Sequence, residues 1–157
     1  MSIYLKIDGI DGEATHAGHA KWIDILSFQW GVGRAISTPV GSAAKREASE
    51  PSVSEITMTK HMDKSSVSLF QEACTGTGKT YKIDFVTTGD PGENYLTFEL
   101  TNGMISGYSI SSGGDRPLET ISVNFTKVDM RYTSFDQDQK TATPVNASYD
   151  LASGKKA

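Results

Sequence analysis

Short runs in which apolar and polar residues alternate constrain the fold of this chain more than any other feature of its sequence. The first run places Ile3, Leu5 and Ile7 on one side of a strand, as expected when one face meets a core and the other meets water. Similar runs recur at Val53–Lys60, Tyr81–Phe85, Leu96–Leu100, Met104–Ile110 and Ile121–Phe125. Serine, threonine and glycine contribute 18, 16 and 15 residues, a composition that favours strands and turns over long helices. We predict a mainly β fold that forms a single domain over residues 1–157.

The segment Trp22–Trp30 departs from simple alternation, because its apolar residues occupy both odd and even positions. A strand with apolar side chains on both faces is usually covered on both faces. We therefore predict one continuous strand that contributes both to the core and to an interface between subunits. The side chains assigned to this strand are Trp22, Ile23, Ile25, Phe28 and Trp30.

One helix is predicted after Asp63, which is a suitable N-cap residue, and before Gly76, which can terminate a helix. The expected length is about eleven residues, typical of globular proteins. The apolar face of this helix would consist of Val67, Phe70 and Ala73 or Cys74.

Two other positions predict interruptions in the strands. Asn102–Gly103 is a strong signal for a tight hairpin turn. The apolar residues occupy odd positions up to Phe125 and even positions from Val128 onward, so the phase changes between them. We expect either a bulge there or a strand that moves from one surface to another.

The apolar period disappears in residues 36–52, where Ser, Gly, Ala, Pro and charged residues predominate. An irregular segment of this length inside a compact domain is usually functional or disordered. We predict an extended loop that forms no secondary structure of its own.

The segment Ala73–Thr80 fits a relaxed phosphate-binding loop. Such a loop needs a strand before it and a helix after it, so that backbone N–H groups converge on the phosphate. Here a helix is expected before the glycines and a strand after them, which favours a helix terminus over a nucleotide site. A nucleotide-binding enzyme that uses Gly78, Lys79 and Thr80 remains the alternative from the enzyme class.

His16 and His19 are spaced like a pair of metal ligands, but no third or fourth ligand can be identified from spacing. Surface histidines are the favoured interpretation. Cys74 is the single cysteine, which excludes an internal disulfide, and we expect it to behave as a small apolar side chain. No catalytic residue, cofactor or metal is predicted.

The net charge of −4 does not favour a nucleic-acid partner. No apolar run approaches the roughly 18 residues that a membrane span needs. Lys6 and Asp8 interrupt the apolar residues at the N-terminus, so no secretory signal peptide is expected. We expect a cytoplasmic protein at the time of synthesis.

Six blocks spread over nearly the whole chain occur in a recognisable order: Ile3–His16, Trp22–Val32, Arg46–Ile56, Asp63–Phe70, Ser148–Leu151 and Gly154–Lys156. Together they make the sequence similar to the Hcp family (haemolysin-coregulated protein), the tube proteins of type VI secretion. One departure is Tyr149, which occupies a place where the family more often has Trp.

This resemblance implies a flattened β-barrel of two antiparallel sheets with one flanking helix. It also implies a homohexameric ring that stacks into a hollow tube, with the spike, the contractile sheath and small effectors in the tube lumen as partners. Sheath contraction would then secrete the protein from the cytoplasm to the extracellular space. In the family the extended loop lies along the tube axis, which makes Arg46, Glu47 and Glu50 candidates for polar contacts between rings.

A third interpretation is a monomeric β-barrel that binds a small apolar ligand in its interior. The molecular mass in solution distinguishes it from a ring, because a ligand-binding barrel can remain monomeric at high concentration.

Overall fold

The computed structural model of the protein describes residues 1–41, 44, 46–89, 92–135 and 142–157. Within these ranges the chain forms fourteen strands and one helix, in agreement with the predicted mainly β class. In chain order they are β1 (Ser2–Ile7), β2 (Ile23–Ile25), β3 (Ser27–Gln29), β4 (Val32–Gly33), β5 (Ile36–Ser37), β6 (Glu47–Ala48), β7 (Ser52–Val53), β8 (Ile56–His61), α1 (Ser66–Thr75), β9 (Lys79–Val86), β10 (Asn94–Ser111), β11 (Leu118–Asn124), β12 (Lys127–Phe135), β13 (Ala142–Asp150) and β14 (Lys155–Lys156).

Ten of the strands form one continuous antiparallel network, and the long strand β10 joins its two halves. The first half of β10 pairs with β9 and β12, while its second half pairs with β11. One half of the network therefore runs β2-β1-β9-β10-β12-β13-β14, and the other runs β10-β11-β8-β3. The two halves correspond to the two sheets that the sequence predicts. Among the described residues, no ladder joins β2 to β3, so hydrogen bonds do not close the barrel at that edge.

The hairpin predicted at Asn102–Gly103 is wrong, because β10 continues through both residues. Asn102 adopts φ of +55°, and the pairing register with β9 shifts between Leu100 and Gly103. Gly103 packs against the Tyr81 ring, where a Cβ atom would approach within 2.7 Å of the ring. The signal thus marks a bulge at which β10 passes from one sheet to the other.

The segment Trp22–Trp30, predicted as one strand, forms two strands that separate at Leu26. β2 pairs with β1, whereas β3 pairs with β8 in the other sheet. Leu26 is 51% exposed, and its N–H donates to the carbonyl of Thr59. Because the chain changes sheet at this point, the odd positions before it and the even positions after it face the same core. Two apolar phases therefore reflect a corner in the chain and not a strand covered on both faces.

The phase change predicted after Phe125 has the same cause. β11 ends at Asn124 in one sheet and β12 begins at Lys127 in the other. The N–H of Thr126 donates to the carbonyl of Thr101 across this corner. Of the two expected explanations, the strand that moves between surfaces is confirmed.

The core lies between the two sheets and is closed on one side by the helix. Four of its aromatic rings contact one another, with centroids of neighbouring pairs between 4.9 and 6.1 Å apart: Phe28, Trp30, Phe85 and Phe98. Its fully buried aliphatic and sulfur-containing side chains are Leu5, Ile7, Ile23, Ile56, Met58, Leu69, Ile83, Leu100, Ile121 and Val123.

The helix α1 begins two residues later than predicted, with Ser65 as its N-cap residue. Asp63 accepts hydrogen bonds from the N–H and hydroxyl groups of Ser65 and so shapes the turn before the helix. The predicted stop at Gly76 is confirmed, and the Gly76 N–H donates to Glu72. No helix in the described ranges is both long and apolar enough to cross a membrane.

The predicted apolar face of α1 is wrong for Val67 and Phe70, whereas Ala73 packs partly buried against the core as predicted. Leu69 is fully buried, whereas Val67 is 76% exposed and Phe70 is 58% exposed. Cys74 is also exposed and does not pack as a core residue. The helix therefore buries a narrow face and leaves two large apolar side chains on the surface.

Candidate assembly surfaces

The segment predicted as an irregular loop forms a long β-hairpin, which we call the arm (residues 32–53). At its base β4 pairs with β7, and further out β5 pairs with β6. Ser42, Ala43 and Lys45 lie outside the described residues. The prediction that this segment lacks strands is therefore wrong.

Serine side chains complete the hydrogen bonding of the arm where its two short ladders are interrupted. The hydroxyl of Ser54 accepts from the Gly31 N–H at 2.9 Å, and the hydroxyl of Ser49 accepts from the Ala35 N–H at 3.0 Å. The same serines donate their own N–H groups to the carbonyls of Gly31 and Ala35. These bonds keep the hairpin paired although it has no core of its own. Sequence periodicity could not predict these strands, because each is only two residues long and shows no alternation.

The three charged residues singled out in the sequence lie on the returning side of the arm, in or next to β6, and are all exposed. Glu47 is in β6, opposite Ser37, while Arg46 precedes β6 and Glu50 follows it. Their side chains are therefore available for contacts outside the subunit.

The arm also exposes apolar side chains. Val32 is 55% exposed and Ile36 is 50% exposed. Val40 lies in the turn beside Gly41 and is 106% exposed, so it touches almost nothing in its own subunit. An apolar side chain held so far from the core gains no burial from the fold itself.

A second surface is the groove between α1 and the end of β10, which we call the helix groove. Its volume is about 250 Å³. Its wall includes Ile110, which is 50% exposed, beside the exposed Val67 and Phe70. The full lining consists of Met62, Asp63, Ser66, Val67, Phe70, Tyr108 and Ile110.

The helix groove is supported by a buried polar network behind Tyr108. The hydroxyl of Tyr108 donates to Glu119, whose other carboxylate oxygen accepts from Lys60 Nζ. Lys60 and Glu119 are both fully buried. Burial, and after it the hydrogen bond to Glu119, raises the pKa of Tyr108 well above its ordinary value.

Three further oxygens lie within hydrogen-bond distance of the Lys60 ammonium group, so its three N–H donors are shared among four acceptors. Its Nζ lies 2.8 Å from the carbonyl of His61, 3.1 Å from Asp63 Oδ1 and 3.2 Å from Ser66 Oγ. A buried ammonium group is tolerated when it is paired and hydrogen-bonded in this way. The network therefore fixes the start of α1 to β8 and so maintains the shape of the helix groove.

A third surface lies on the face of β12 and β13. Met130, Tyr132 and Val145 are 41%, 47% and 61% exposed, and Tyr132 is directly opposite Val145 in the ladder. Beside them, Trp30 and Tyr149 border a hollow of about 150 Å³. This surface presents apolar side chains from neighbouring strands.

The strand residues assigned from the sequence are distributed between the core and its margins. Ile23 and Ile25 are buried, and Phe28 and Trp30 are half-buried against the same core. Trp22 packs instead against a separate cluster that contains Tyr4 and His19.

The predicted surface location of the histidine pair is wrong for His19, which is 6% exposed. Its Nε2 donates to Asp84, and its Nδ1 lies 3.0 Å from Nδ1 of His16. Its ring stacks on Tyr4 at a centroid distance of 4.8 Å. Among the described residues, no group of three or more His, Cys, Asp and Glu side chains is arranged to hold a metal ion.

The glycine-rich segment lies, as predicted, between a helix that ends at Thr75 and a strand that begins at Lys79. Lys79 Nζ forms an ion pair with Glu72 Oε1 at 2.6 Å. This order of elements lacks the helix N-terminus that a phosphate would need, and the lysine is already paired with a carboxylate.

Comparison with known proteins identifies the family. The family model described as "Type VI secretion system effector, Hcp" matches residues 4–132. The protein Hcp1 of Pseudomonas aeruginosa is 30% identical over 162 aligned positions, which cover 96% of this chain and 95% of that protein.

Solved structures agree with the sequence match. The structure of a type six secretion system protein, 30% identical, superposes with a TM-score of 0.91 over 99% of both chains. Hcp1 from Salmonella typhimurium, 26% identical, superposes with a TM-score of 0.79 over 99% of this chain and 98% of that one. This chain therefore belongs to the Hcp family, the tube proteins of type VI secretion.

Proposed function

We propose that the chain forms hexameric rings that stack through their arms into a hollow tube. The observation that carries this proposal is the arm itself. It is a hydrogen-bonded hairpin that holds exposed side chains away from the body of the subunit. Membership of a tube-protein family supplies the expected architecture.

Contacts within a ring would use the apolar surface on β12 and β13. A closed ring is built from heterologous contacts, in which one patch meets a different patch of the neighbour. Exposed Met130, Tyr132 and Val145 supply such a patch, and burial of their apolar area would favour association.

Contacts between rings would include Arg46, Glu47 and Glu50 on the arm. Exposed ion pairs of this kind contribute roughly 0–1 kcal/mol each. The affinity between two rings rises steeply when six copies of these contacts form together, because every contact after the first is intramolecular. Stacking should therefore be reversible for isolated rings and cooperative for long tubes.

The first test measures the mass in solution by light scattering over a range of protein and salt concentrations. A mass six times that of the 16.9 kDa chain supports the ring. A monomer at every concentration would contradict it.

The second test shortens the arm. Replacement of residues 38–46 by Asn-Gly should join β5 to β6 through a two-residue turn and preserve the base of the hairpin. We expect rings of unchanged mass that no longer form tubes in electron micrographs. Tubes as abundant as those of the parent would exclude the arm as the stacking element.

A charge-exchanged pair tests the polar contacts separately. Arg46→Glu with Glu50→Lys preserves the net charge and should weaken stacking. Asp11→Lys with Lys155→Glu is the matched control, because both residues are exposed and lie outside the arm. Equal tube formation by both variants would contradict a role for the arm charges.

In the cell, the proposal is that the protein assembles in the cytoplasm and is expelled with the tube when the sheath contracts. The spike, the sheath and effectors carried in the lumen are its partners in this scheme. The role is structural and uses no cofactor. Appearance of the parent, but not the arm-shortened variant, in the medium of secreting cells would support this scheme.

A further inference from the structure

The helix groove combines apolar walls with a buried floor that carries a net negative charge. The floor contains Lys60 and Glu119, which are fully buried, and Asp63, whose side chain is 6% exposed. Two carboxylates and one ammonium group leave this cluster with a net charge of −1. The N-terminus of α1 contributes at most about half a positive charge, so the floor remains negative. A buried negative charge favours a cationic partner.

The Asp63 carboxylate has one engaged oxygen and one that is available to a ligand. Oδ1 accepts from Lys60 Nζ at 3.1 Å and from the Ser65 N–H at 2.9 Å, and it also accepts from the Ser65 hydroxyl. No described residue donates a hydrogen bond to Oδ2. Oδ2 is also not one of the buried side-chain atoms that lack a partner in the described ranges, so it is not enclosed by protein. Because Asp63 lines the helix groove, Oδ2 gives the groove a charged acceptor.

The walls of the helix groove have the dimensions of a short apolar chain. Val67 and Phe70 border it from α1, while Tyr108 and Ile110 border it from β10. From Ser66 to Phe70 the helix rises by about 6 Å, which corresponds to a chain of roughly five or six carbon atoms. The groove volume of about 250 Å³ has room for one such chain.

Two aromatic rings beside the carboxylate favour a cation over a neutral or anionic group. The ring centroids of Phe70 and Tyr108 are 6.5 Å apart, and both residues line the groove. An ammonium group is attracted to aromatic faces as well as to a carboxylate. A carboxylate on the ligand would instead meet the negative charge of the floor.

The exposed charges around the helix groove do not decide this preference, because both signs occur there. The charged residues beside the groove are Glu13, Lys64, Asp115 and Arg116, all of them exposed. Interactions between exposed charges are weakened by salt, whereas those of buried groups are weakened much less. The argument for a cation therefore depends on the floor alone.

We propose that the helix groove binds a small primary amine with an apolar body, of the size of an alkylammonium ion of about six carbons. The ammonium group donates to Oδ2 of Asp63, and the apolar body lies against Val67, Phe70 and Ile110. This inference goes beyond the proposed tube function and does not depend on it, because every residue involved belongs to one subunit.

Three ligands that share one apolar chain test the chemistry of the site: hexylammonium, hexanol and hexanoate. Isothermal titration calorimetry measures the affinity of the full-length protein for each of them. We expect a Kd of roughly 0.1–1 mM for hexylammonium, as is typical of very small ligands. Hexanol and hexanoate should bind at least about tenfold more weakly, because neither forms the charge-assisted hydrogen bond to Asp63. Equal affinity for hexanol, or no saturation by hexylammonium at about 10 mM, would overturn the proposal.

Methyl NMR spectra of the protein locate the bound amine. The methyl groups of Val67 and Ile110 report on the groove, and those of the exposed Val145 report on a surface outside the groove lining. Hexylammonium should shift the signals of Val67 and Ile110 and leave those of Val145 unchanged. Shifts confined to methyl groups outside the groove would place the amine elsewhere and contradict the proposal.

Two substitutions separate the contribution of the wall from that of the carboxylate. Ile110 is 50% exposed, so Ile110→Ser should retain the fold and weaken hexylammonium binding at least about fivefold. Asp63→Asn should abolish the preference for hexylammonium over hexanol. Met104→Ser is the matched control, since Met104 is a 45% exposed side chain of the same strand outside the groove lining, and its Kd should equal that of the parent.

The thermal unfolding midpoint of each variant shows whether it is folded. If Asp63→Asn does not fold, because it also loses the contacts to Lys60 and Ser65, the ligand series and Ile110→Ser decide the question. An unchanged Kd in folded Ile110→Ser would contradict the site, as would a folded Asp63→Asn variant that still prefers the amine.

Discussion

His19 and Asp84 form a buried hydrogen bond of 2.8 Å between Nε2 and Oδ2. The bond connects the loop that follows β1 to the middle of β9, and the second carboxylate oxygen accepts from Thr97 at 2.9 Å. A carboxylate can only accept, so Nε2 of His19 carries the proton. The other ring nitrogen of His19, Nδ1, lies 3.0 Å from Nδ1 of His16, so both nitrogens of the ring have a partner and the loop is held to β9.

Substitution of Asp84 by Ala should destabilise the protein by about 1.5–3 kcal/mol, because His19 and Thr97 would both lose a charged acceptor. Urea denaturation monitored by tryptophan fluorescence measures the change. Asp11→Ala is the control, since Asp11 is exposed and should shift stability by less than about 0.5 kcal/mol. Equal stabilities for the two variants would mean that the buried bond contributes nothing.

A second prediction concerns the stability contributed by the buried ion pair between Lys60 and Glu119. Lys60→Met leaves a buried carboxylate without its counter-charge and should cost about 3–5 kcal/mol. The double variant with Glu119→Leu removes both charges and should recover much of that loss. Thermal unfolding of the two single variants and the double variant gives the coupling energy, and strictly additive losses would contradict this account.

Removal of the hydroxyl group should change the stability of the protein in opposite directions at Tyr81 and at Tyr108. The Tyr81 hydroxyl is buried and has no hydrogen-bond partner among the described residues, so Tyr81→Phe should be neutral or stabilising. The Tyr108 hydroxyl donates to Glu119, so Tyr108→Phe should cost about 1–3 kcal/mol. Denaturation midpoints decide, and a clear loss in Tyr81→Phe would reveal a partner for that hydroxyl.

The free energy of unfolding of the protein should decrease in alkaline solution because of the same two tyrosines. Burial raises the pKa of Tyr81, with a further increase from Glu72, and burial and Glu119 raise the pKa of Tyr108. The unfolded chain releases these protons near pH 10, while the folded chain retains them, so unfolding becomes more favourable above about pH 10. The double variant Tyr81→Phe with Tyr108→Phe should show a shallower decline. A parallel decline in parent and variant would contradict the assignment.

The aromatic part of the core predicts a graded response to truncation. Phe98 is 4% exposed, so Phe98→Ala should cost about 3–5 kcal/mol. Trp30 is half-buried and meets Phe98 edge-on at 5.5 Å, so Trp30→Ala should cost less. Thermal unfolding measures both, and unchanged midpoints would show that neither ring stabilises the core.

The sequence predicts the strands better than it predicts their connections. Ile3, Leu5 and Ile7 share a face in β1 as expected, because a short strand over one core imposes a strict period of two. The chain changes sheet at Leu26, which reverses the parity of the buried positions. It changes sheet again at Asn102, where the bulge has the Asn-Gly sequence that is typical of a hairpin turn. Such corners depend on contacts with distant strands, and local pattern does not encode them.

The candidate surfaces were only partly accessible to sequence analysis. The arm charges are candidates only through the family resemblance and their position in a segment without apolar period. The sequence does not predict the helix groove, because the spacing of Val67 and Phe70 indicates a core face. The sequence does contain a signal for the buried network of Lys60 and Glu119 that supports the groove. Lys60 and Glu119 both fall on the apolar phase of their strands, and the ladder places them opposite each other. Two opposite charges at core positions of separate strands predict a buried pair.

The continuity of β10 through both sheets has a mechanical consequence. A load applied to the arm enters the body of the subunit at β8 and passes through β11 to the second half of β10. From there the covalent backbone carries it to the first half of β10, whose hydrogen-bonded ladders pass it to β9 and β12. The two sheets therefore share a strand, and sliding one sheet past the other would require the backbone of β10 to deform at its bulge.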